Sequence, residues 1–341
     1  MTHYNEPFSV MQPGISLLLN QKGFLPDDIR LTIVHDGTEI LPELNELDFP
    51  FEFRQFSIPH RGVSGARNFG IEQADAEWIT FCDCDDGYTG IYALKRILQG
   101  LEEGDFNILW SQFYVERTKE EDPDGKWLGL HKDLNFVWIH NKYFRLDFLR
   151  RHKILFNEDL DISEDGAFCV EAMLQCREGE IGEISVPEAL YVWRRREGST
   201  TTSKENVVKI NRGVLKRDIY VAGLWQKSRS VSAPLAAGRA ITDAYARLTQ
   251  KRMEAYPEET REIEAMMLIF WQQNEWQLKQ LSEDQWAYVL KAAETELQVN
   301  GTLNADRPAF DSWLKERLGV ERQSLNSQYV PLKTMKGSSV S

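Results

Sequence analysis

The sequence predicts an α/β fold: a mostly parallel sheet with flanking helices over residues 1–203, an all-α region over 204–320 and a tail at 321–341. Three observations predict it. Up to about residue 200, short β-rich runs alternate with segments of helical apolar spacing, as in sheets whose parallel strands are joined by crossover helices. From Lys204 the β-branched runs give way to apolar residues three and four apart, as at Val207, Val208, Ile210, Val214, Leu215 and Ile219. From Glu321 the chain is polar and serine-rich without periodicity, which predicts a flexible tail.

The predicted strands are 31–36, 51–57, 78–83, 107–116 and 189–193, and the predicted helices between them are 10–21, 64–74, 88–101 and 163–175. In the helical region Pro257 opens one helix, where a missing N–H costs nothing. Ser282 and Gln285 form a capping box ahead of Trp286, Val289 and Leu290. A further helix runs from Pro308 through Trp313 to Leu318 and is stopped by Gly319. Phe270, Trp271, Trp276, Trp286 and Trp313 are expected in a core or interface, because large aromatics at helical spacing ordinarily pack.

Composition excludes some functions. The formal net charge of −13 argues against non-specific binding to nucleic acid or to an anionic membrane surface. No apolar run approaches the roughly 20 residues of a membrane span. Four cysteines in a chain of 341 residues without a signal peptide predict reduced thiols and a cytoplasmic protein. Cys82 and Cys84 lack a second pair at zinc spacing, so no structural zinc site is expected.

The chemistry concentrates at strand ends. An apolar run from Trp78 ends in Asp83, Asp85 and Asp86, three carboxylates over four positions. Such a cluster repels itself unless a hard cation sits there, and ligands of open α/β sheets bind outside the carboxyl ends of strands. A second strand runs into Asp36-Gly37-Thr38, and His60 to Ile71 is a glycine- and arginine-bearing loop opening a helix at Ser64. Arginines and helix N-termini both favour phosphate. Ser163 reads as an N-cap that places Glu164 and Asp165 in a first helical turn, whose dipole favours the ionised carboxylate.

In this order the residues resemble the family 2 glycosyltransferases, over about residues 1–203. The stretch Thr2-His3-Tyr4-Asn5-Glu6-Pro7 looks like that family's first nucleotide-binding turn, and Asp36-Gly37-Thr38 is similar to its Asp-Gly-Ser turn. Gly62 to Gly70 resembles its Gly-x-Ser-x-Ala-Arg-Asn-x-Gly loop, and Asp83-Cys84-Asp85-Asp86 its acidic metal motif. Trp138 to Arg145 looks like the stretch leading to the acceptor region, with Lys142 alternatively a plain surface lysine. Tyr191 to Thr200 resembles the strand and loop that close over the diphosphate.

The resemblance implies a GT-A fold, a nucleotide-diphosphate sugar as donor with a UDP-sugar favoured, and Mn²⁺ or Mg²⁺ as cofactor. It places Thr2, Tyr4 and Asp36 beside the base, Arg61 or Arg67 near the base or phosphates, and Asp83 near the ribose. Asp85 becomes the main metal ligand and Asp86 helps hold the metal or donor sugar. Of the Glu164–Asp165 pair, Asp165 is the general base for an inverting transfer, and Arg194 or Arg196 meets the diphosphate. The acceptor stays open among a glycan, a lipid carrier, a protein side chain and a modified nucleobase, and the helical region is open between recognising an acceptor and forming a homo-oligomer. The family's first strand is expected to be missing, since Met1 stands almost on the first turn, and no histidine metal ligand is expected because none follows His152. A nucleotidyltransferase, or a GT-A-fold scaffold that has lost catalysis, is the alternative.

Overall fold

The computed structural model describes residues 1–119, 122–132, 138–185, 189–194, 206–297 and 307–320. The chain divides into two compact units, Met1–Gly213 and Val214–Ser341.

The strands of the first unit are β1 (Thr2–His3), β2 (Arg30–Asp36), β3 (Glu52–Ile58), β4 (Trp78–Thr80), β5 (Gly87–Tyr88), β6 (Ile108–Trp110), β7 (Phe113–Lys119), β8 (Asp122–His131), β9 (Lys142–Arg145), β10 (Ile181–Glu183) and β11 (Tyr191–Trp193). Its helices are α1 (Phe8–Leu19), α2 (Pro42–Asn45), α3 (Gly62–Gln73), α4 (Ala93–Leu101), α5 (Leu146–His152) and α6 (Glu164–Gln175). Three sheets form: an all-parallel β1-β2-β3, and two mixed sheets ordered β10-β6-β9-β4 and β5-β11-β7-β8. An isolated parallel bridge from Thr2 to Asp83 ties β1 to the segment after β4.

Elements form where their apolar pattern has a surface to cover. Helix α4 buries Leu94 and Ile97 on one face and leaves Lys95 and Arg96 outside. Helix α1 buries Met11, Ile15 and Leu18 against a core that includes Cys84, Tyr88 and Tyr191. Gly14 makes that approach feasible: a Cβ on it would stand 2.1 Å from the carbonyl oxygen of Asp86, so helix and acidic turn touch through backbone.

Several sequence expectations are corrected here. The first strand is not wholly missing. Thr2 and His3 pair with Val34 and His35, and the Met1 carbonyl accepts the Val34 N–H. The predicted strand 78–83 ends at Thr80, and the predicted strand 107–116 breaks between β6 and β7. Helix α4 starts at Ala93 rather than 88, because Gly87 and Tyr88 are taken by pairing with β11.

The helical part comprises α7 (Val207–Lys227), α8 (Ala233–Leu248), α9 (Pro257–Leu278), α10 (Glu283–Leu297) and α11 (Arg307–Trp313). Trp286, Phe270, Trp271, Leu281 and Phe310 are buried, whereas Trp276 is 61% exposed and belongs to no core. The Ser282–Gln285 capping box is present in both directions, at 2.9 and 3.3 Å. The chain continues past α11 as a π turn ending at Gly319, whose φ of 66° suits a residue without Cβ. No described helix is long and apolar enough to cross a membrane. The predicted tail at 321–341 lies outside the described residues.

Candidate active site

At the carboxyl end of β2, Asp36 accepts the Arg61 backbone N–H at 2.6 Å, and its second oxygen lies 2.8 Å from His60 Nδ1. Gly37, with φ of 75°, allows His60 this close: a Cβ on Gly37 would meet the His60 Cβ at 2.6 Å. Tyr4, half exposed, stacks on the His60 ring at 4.6 Å. Tyr4, Asp36 and the start of α3 therefore border one surface. Beneath it His3 and His35 are buried, 2.9 Å apart through their Nδ1 atoms.

The two arginines of the α3 segment differ. Arg61 is exposed and its guanidinium binds Glu158 at 2.6 Å. Arg67 is buried and bridges two acids, donating to Asp83 at 2.8 Å and to Glu164 at 2.7 Å while its guanidinium lies over Phe156. Burial of Arg67 disfavours its charge, but Asp83, Glu164 and Asp165 outweigh that and hold it protonated. Burial likewise raises Asp83, and Arg67 followed by His140 overcomes it, so this carboxyl sits below its ordinary value.

Helix α6 starts where the sequence places it, but Ser163 does not cap it. Its φ of 59° is left-handed and its side chain makes no capping bond. Glu164 is instead fixed by Arg67, and Asp165 accepts the Gly166 N–H at 2.8 Å. The expectation that the helix dipole keeps Asp165 readily ionised is also corrected. Burial first, then Glu164, outweighs Arg67 and pushes Asp165 up to about 7.

Asp86 is fully buried, accepting the Tyr191 hydroxyl at 2.6 Å and the Arg194 backbone N–H at 2.8 Å. Burial, then Asp83 and Asp85, raises its carboxyl well above the ordinary value. His140, which the sequence reading passed over, faces it with Nδ1 at 3.6 Å. Asp83, Asp86 and His140 each bring a ligand atom within 4.8 Å of the others, and Asp85 adjoins on the same turn with some solvent access. This oxygen-rich set with one imidazole fits a hard or borderline divalent cation. His140 lies 54 residues from Asp86 in sequence, and only the pairing of β9 with β4 brings their segments together.

One alternative ends here. Lys142 is not a surface lysine: it is buried, and its Nζ donates to the Trp138 carbonyl at 2.5 Å. Arg194 reaches the site through its backbone, while Arg196 lies outside the described residues.

Residues 1–159 match the family model described as glycosyl transferase family 2. The chain is 28% identical over 219 residues to an uncharacterized glycosyltransferase, EpsJ, of Bacillus subtilis (strain 168), a match covering 58% of this chain and 60% of that protein. It is 26% identical over 232 residues to the minor teichoic acid biosynthesis protein GgaB of the same organism, covering 60% of this chain and 25% of that one. Among solved structures, S. aureus TarS 1-349 in complex with UDP-GlcNAc shares the fold, with a TM-score of 0.51 and 16% identity over 86% of this chain and 90% of that one. The chain spans 54% of a longer TarS structure. Over residues 1–159, the chain is similar to glycosyltransferase family 2.

Proposed function

We propose that the first unit transfers a sugar from a nucleoside-diphosphate donor to an acceptor hydroxyl, with inversion at the anomeric carbon. The observation that carries this reading is the Arg67 bridge. One buried guanidinium binds the acidic turn through Asp83 and the start of α6 through Glu164, which sets a donor-side carboxylate and a candidate base in one frame.

In this reading Asp165 takes the proton from the acceptor hydroxyl as its oxygen attacks the anomeric carbon, on the face opposite the departing diphosphate. A carboxyl held near 7 suits that task, because proton transfer works best when the base's pKa lies near the operating pH. Asp36, with Tyr4 and Thr2 beside it, supports the base and ribose, and Arg61 is free to exchange Glu158 for a donor phosphate. Arg194 and Arg196 remain candidates for the diphosphate. A Mn²⁺ or Mg²⁺ held by Asp85, with Asp86 and His140 adjoining, would supply charge neutralisation at the leaving diphosphate. We favour a UDP-sugar on the resemblance of the motif set, and TarS, similar in fold, was solved with UDP-GlcNAc.

The test is thermal stabilisation by UDP, GDP and dTDP, with and without Mn²⁺, in the wild type and in Asp85→Ala. A nucleotide- and metal-dependent rise in Tm that the variant loses supports the reading. No shift with any nucleotide, or an equal shift in Asp85→Ala, overturns it.

A further inference from the structure

Behind the turn that carries Tyr4 lies a buried hydrogen-bonded row that the donor chemistry does not use. It runs from the Glu6 carbonyl to His3 Nε2 at 2.8 Å, from His3 Nδ1 to His35 Nδ1 at 2.9 Å, and from His35 Nε2 to the Gln55 side-chain oxygen at 2.8 Å. Both rings are buried. The parallel register of β1 on β2, which sets His3 opposite His35, brings them together.

Both ends of the row are acceptors. A backbone carbonyl can only accept, so His3 Nε2 carries a proton. The Gln55 amide cannot be turned round, because its oxygen takes the Leu41 N–H and its nitrogen donates to the Leu41 carbonyl, each at 3.3 Å. His35 Nε2 therefore carries a proton too. Were both rings neutral, two Nδ1 lone pairs would face each other at 2.9 Å and repel. The Thr38 hydroxyl, 3.5 Å from His3 Nδ1, stands at the limit of a bond and does not relieve that contact. One more proton between the rings does, which gives the pair three protons and one positive charge.

Burial, opposed by the Gln55 bond and aided by His3, holds His35 below its ordinary value, so His3 is the doubly protonated ring. The ionisable groups of the surrounding elements are engaged elsewhere. The Met1 ammonium donates to the Thr32 carbonyl at 2.9 Å, and the Glu6 carboxylate accepts the Tyr4 N–H at 2.8 Å. Asp36 of β2 is taken by Arg61 and His60, Arg54 of β3 by Glu52, and Arg67 of α3 by Asp83 and Glu164. Helix α1 has no ionisable side chain, and Glu39, Glu43 and Glu46 around α2 are exposed.

We infer that His3 and His35 are positioning residues that hold the Tyr4–Glu6 turn through a shared third proton, and that the turn is released as pH rises and this proton leaves to solvent. The turn needs holding: Asn5 sits at a left-handed φ of 58°, and Tyr4 is half exposed. With the third proton gone, either the two lone pairs stay opposed or one ring rotates and abandons Glu6 or Gln55. The inference rests on the transferase reading for what the turn serves, since that reading sets Tyr4 beside the nucleotide base. Its test uses no nucleotide, so the two fail separately.

The experiment is two-bond ¹⁵N–¹H NMR of the imidazoles in the whole chain from about pH 5.5 to about pH 9, with amide exchange over residues 2–7 alongside. At the acid end, three of the pair's four nitrogens should carry protons, with His35 Nδ1 the bare one. At the alkaline end a second nitrogen becomes bare. Amide protection over residues 2–7, corrected for the intrinsic pH dependence of exchange, falls about tenfold, as expected for one charge-assisted hydrogen bond. His35→Asn sets an amide nitrogen where Nδ1 stood, with one hydrogen for His3 and one for Gln55. The row then closes without a third proton, and protection stays flat with pH. The wild-type ring spectra need no variant and decide the protonation even if the asparagine chain folds poorly. Two neutral rings at the acid end, three ring protons kept at about pH 9, or the same fall in protection in His35→Asn overturns the inference.

Discussion

The two units bury different things. The first holds Arg67, Asp86, Glu164, Lys142, His35 and Asp36 inside, nearly all tied to a charged or polar partner. The second also buries Asp243 and Glu264, paired with Arg239 and Arg317, beside apolar and aromatic packing in which Trp286 lies against Trp271 and Phe310, and Tyr245 against Phe310. A buried charge is a poor way to stabilise a fold, because desolvation offsets most of the attraction. In the first unit the buried charges gather around one acidic turn, which marks the region built for chemistry, whereas in the second they are two separate ion pairs beside an aromatic core.

The strongest way to break this comparison is at Asp165. Asp165→Asn removes the proposed base and should lower turnover about 10²- to 10⁴-fold while nucleotide binding persists. The same change should leave the protein as stable or more so at pH 8. A carboxyl raised to about 7 in the folded state binds a proton more tightly than in the unfolded chain. It therefore weakens the fold as pH rises from about 4 through 7, and the amide is spared this. Turnover of the wild type should rise with pH through about 7, as the base ionises. Calorimetry at pH 5 and pH 8, with a pH–rate profile, checks all three, and a variant that keeps its rate removes Asp165 from the role.

Arg67→Met and Trp286→Ala should cost comparable stability, about 3–5 kcal/mol each, for opposite reasons. The first leaves the buried Glu164 and the half-buried Asp83 without their cation, and the second leaves a cavity. Denaturant melts should show that Arg67→Met regains stability at acidic pH, as the stranded carboxylates protonate, whereas Trp286→Ala does not. Equal pH dependence would erase the distinction between the units. The smallest effect is expected at Ser282→Ala. It removes one half of a capping box and should cost about 1 kcal/mol by the same melts, without altering nucleotide-induced stabilisation.

Much of the site was legible before the structure because its parts are local. Asp36-Gly37, the loop opening α3, the Asp83–Asp86 turn and Glu164–Asp165 each join an element boundary to a chemical group, and both are written in adjacent residues. Helix α9 from Pro257 and the capping box at Ser282 were legible for the same reason. What failed were judgements about environment. Ser163 has the right chemistry for a cap and the wrong backbone angle, Lys142, for which a surface position was the alternative, is buried, and Trp276, expected in a core or an interface, lies in no core.

By itself, the sequence determined the alternation of elements, the order of the motifs and hence the family resemblance, since periodicity and turn chemistry depend on neighbours along the chain. Tertiary structure alone decided which charges meet. Arg67, bonded to Asp83, reaches Glu164 across 97 positions, His140 arrives beside Asp86 through β9, and Gly14 lets α1 touch the acidic turn. Proton affinity follows from those meetings, because burial and nearby charge, not residue type, set where a carboxyl titrates.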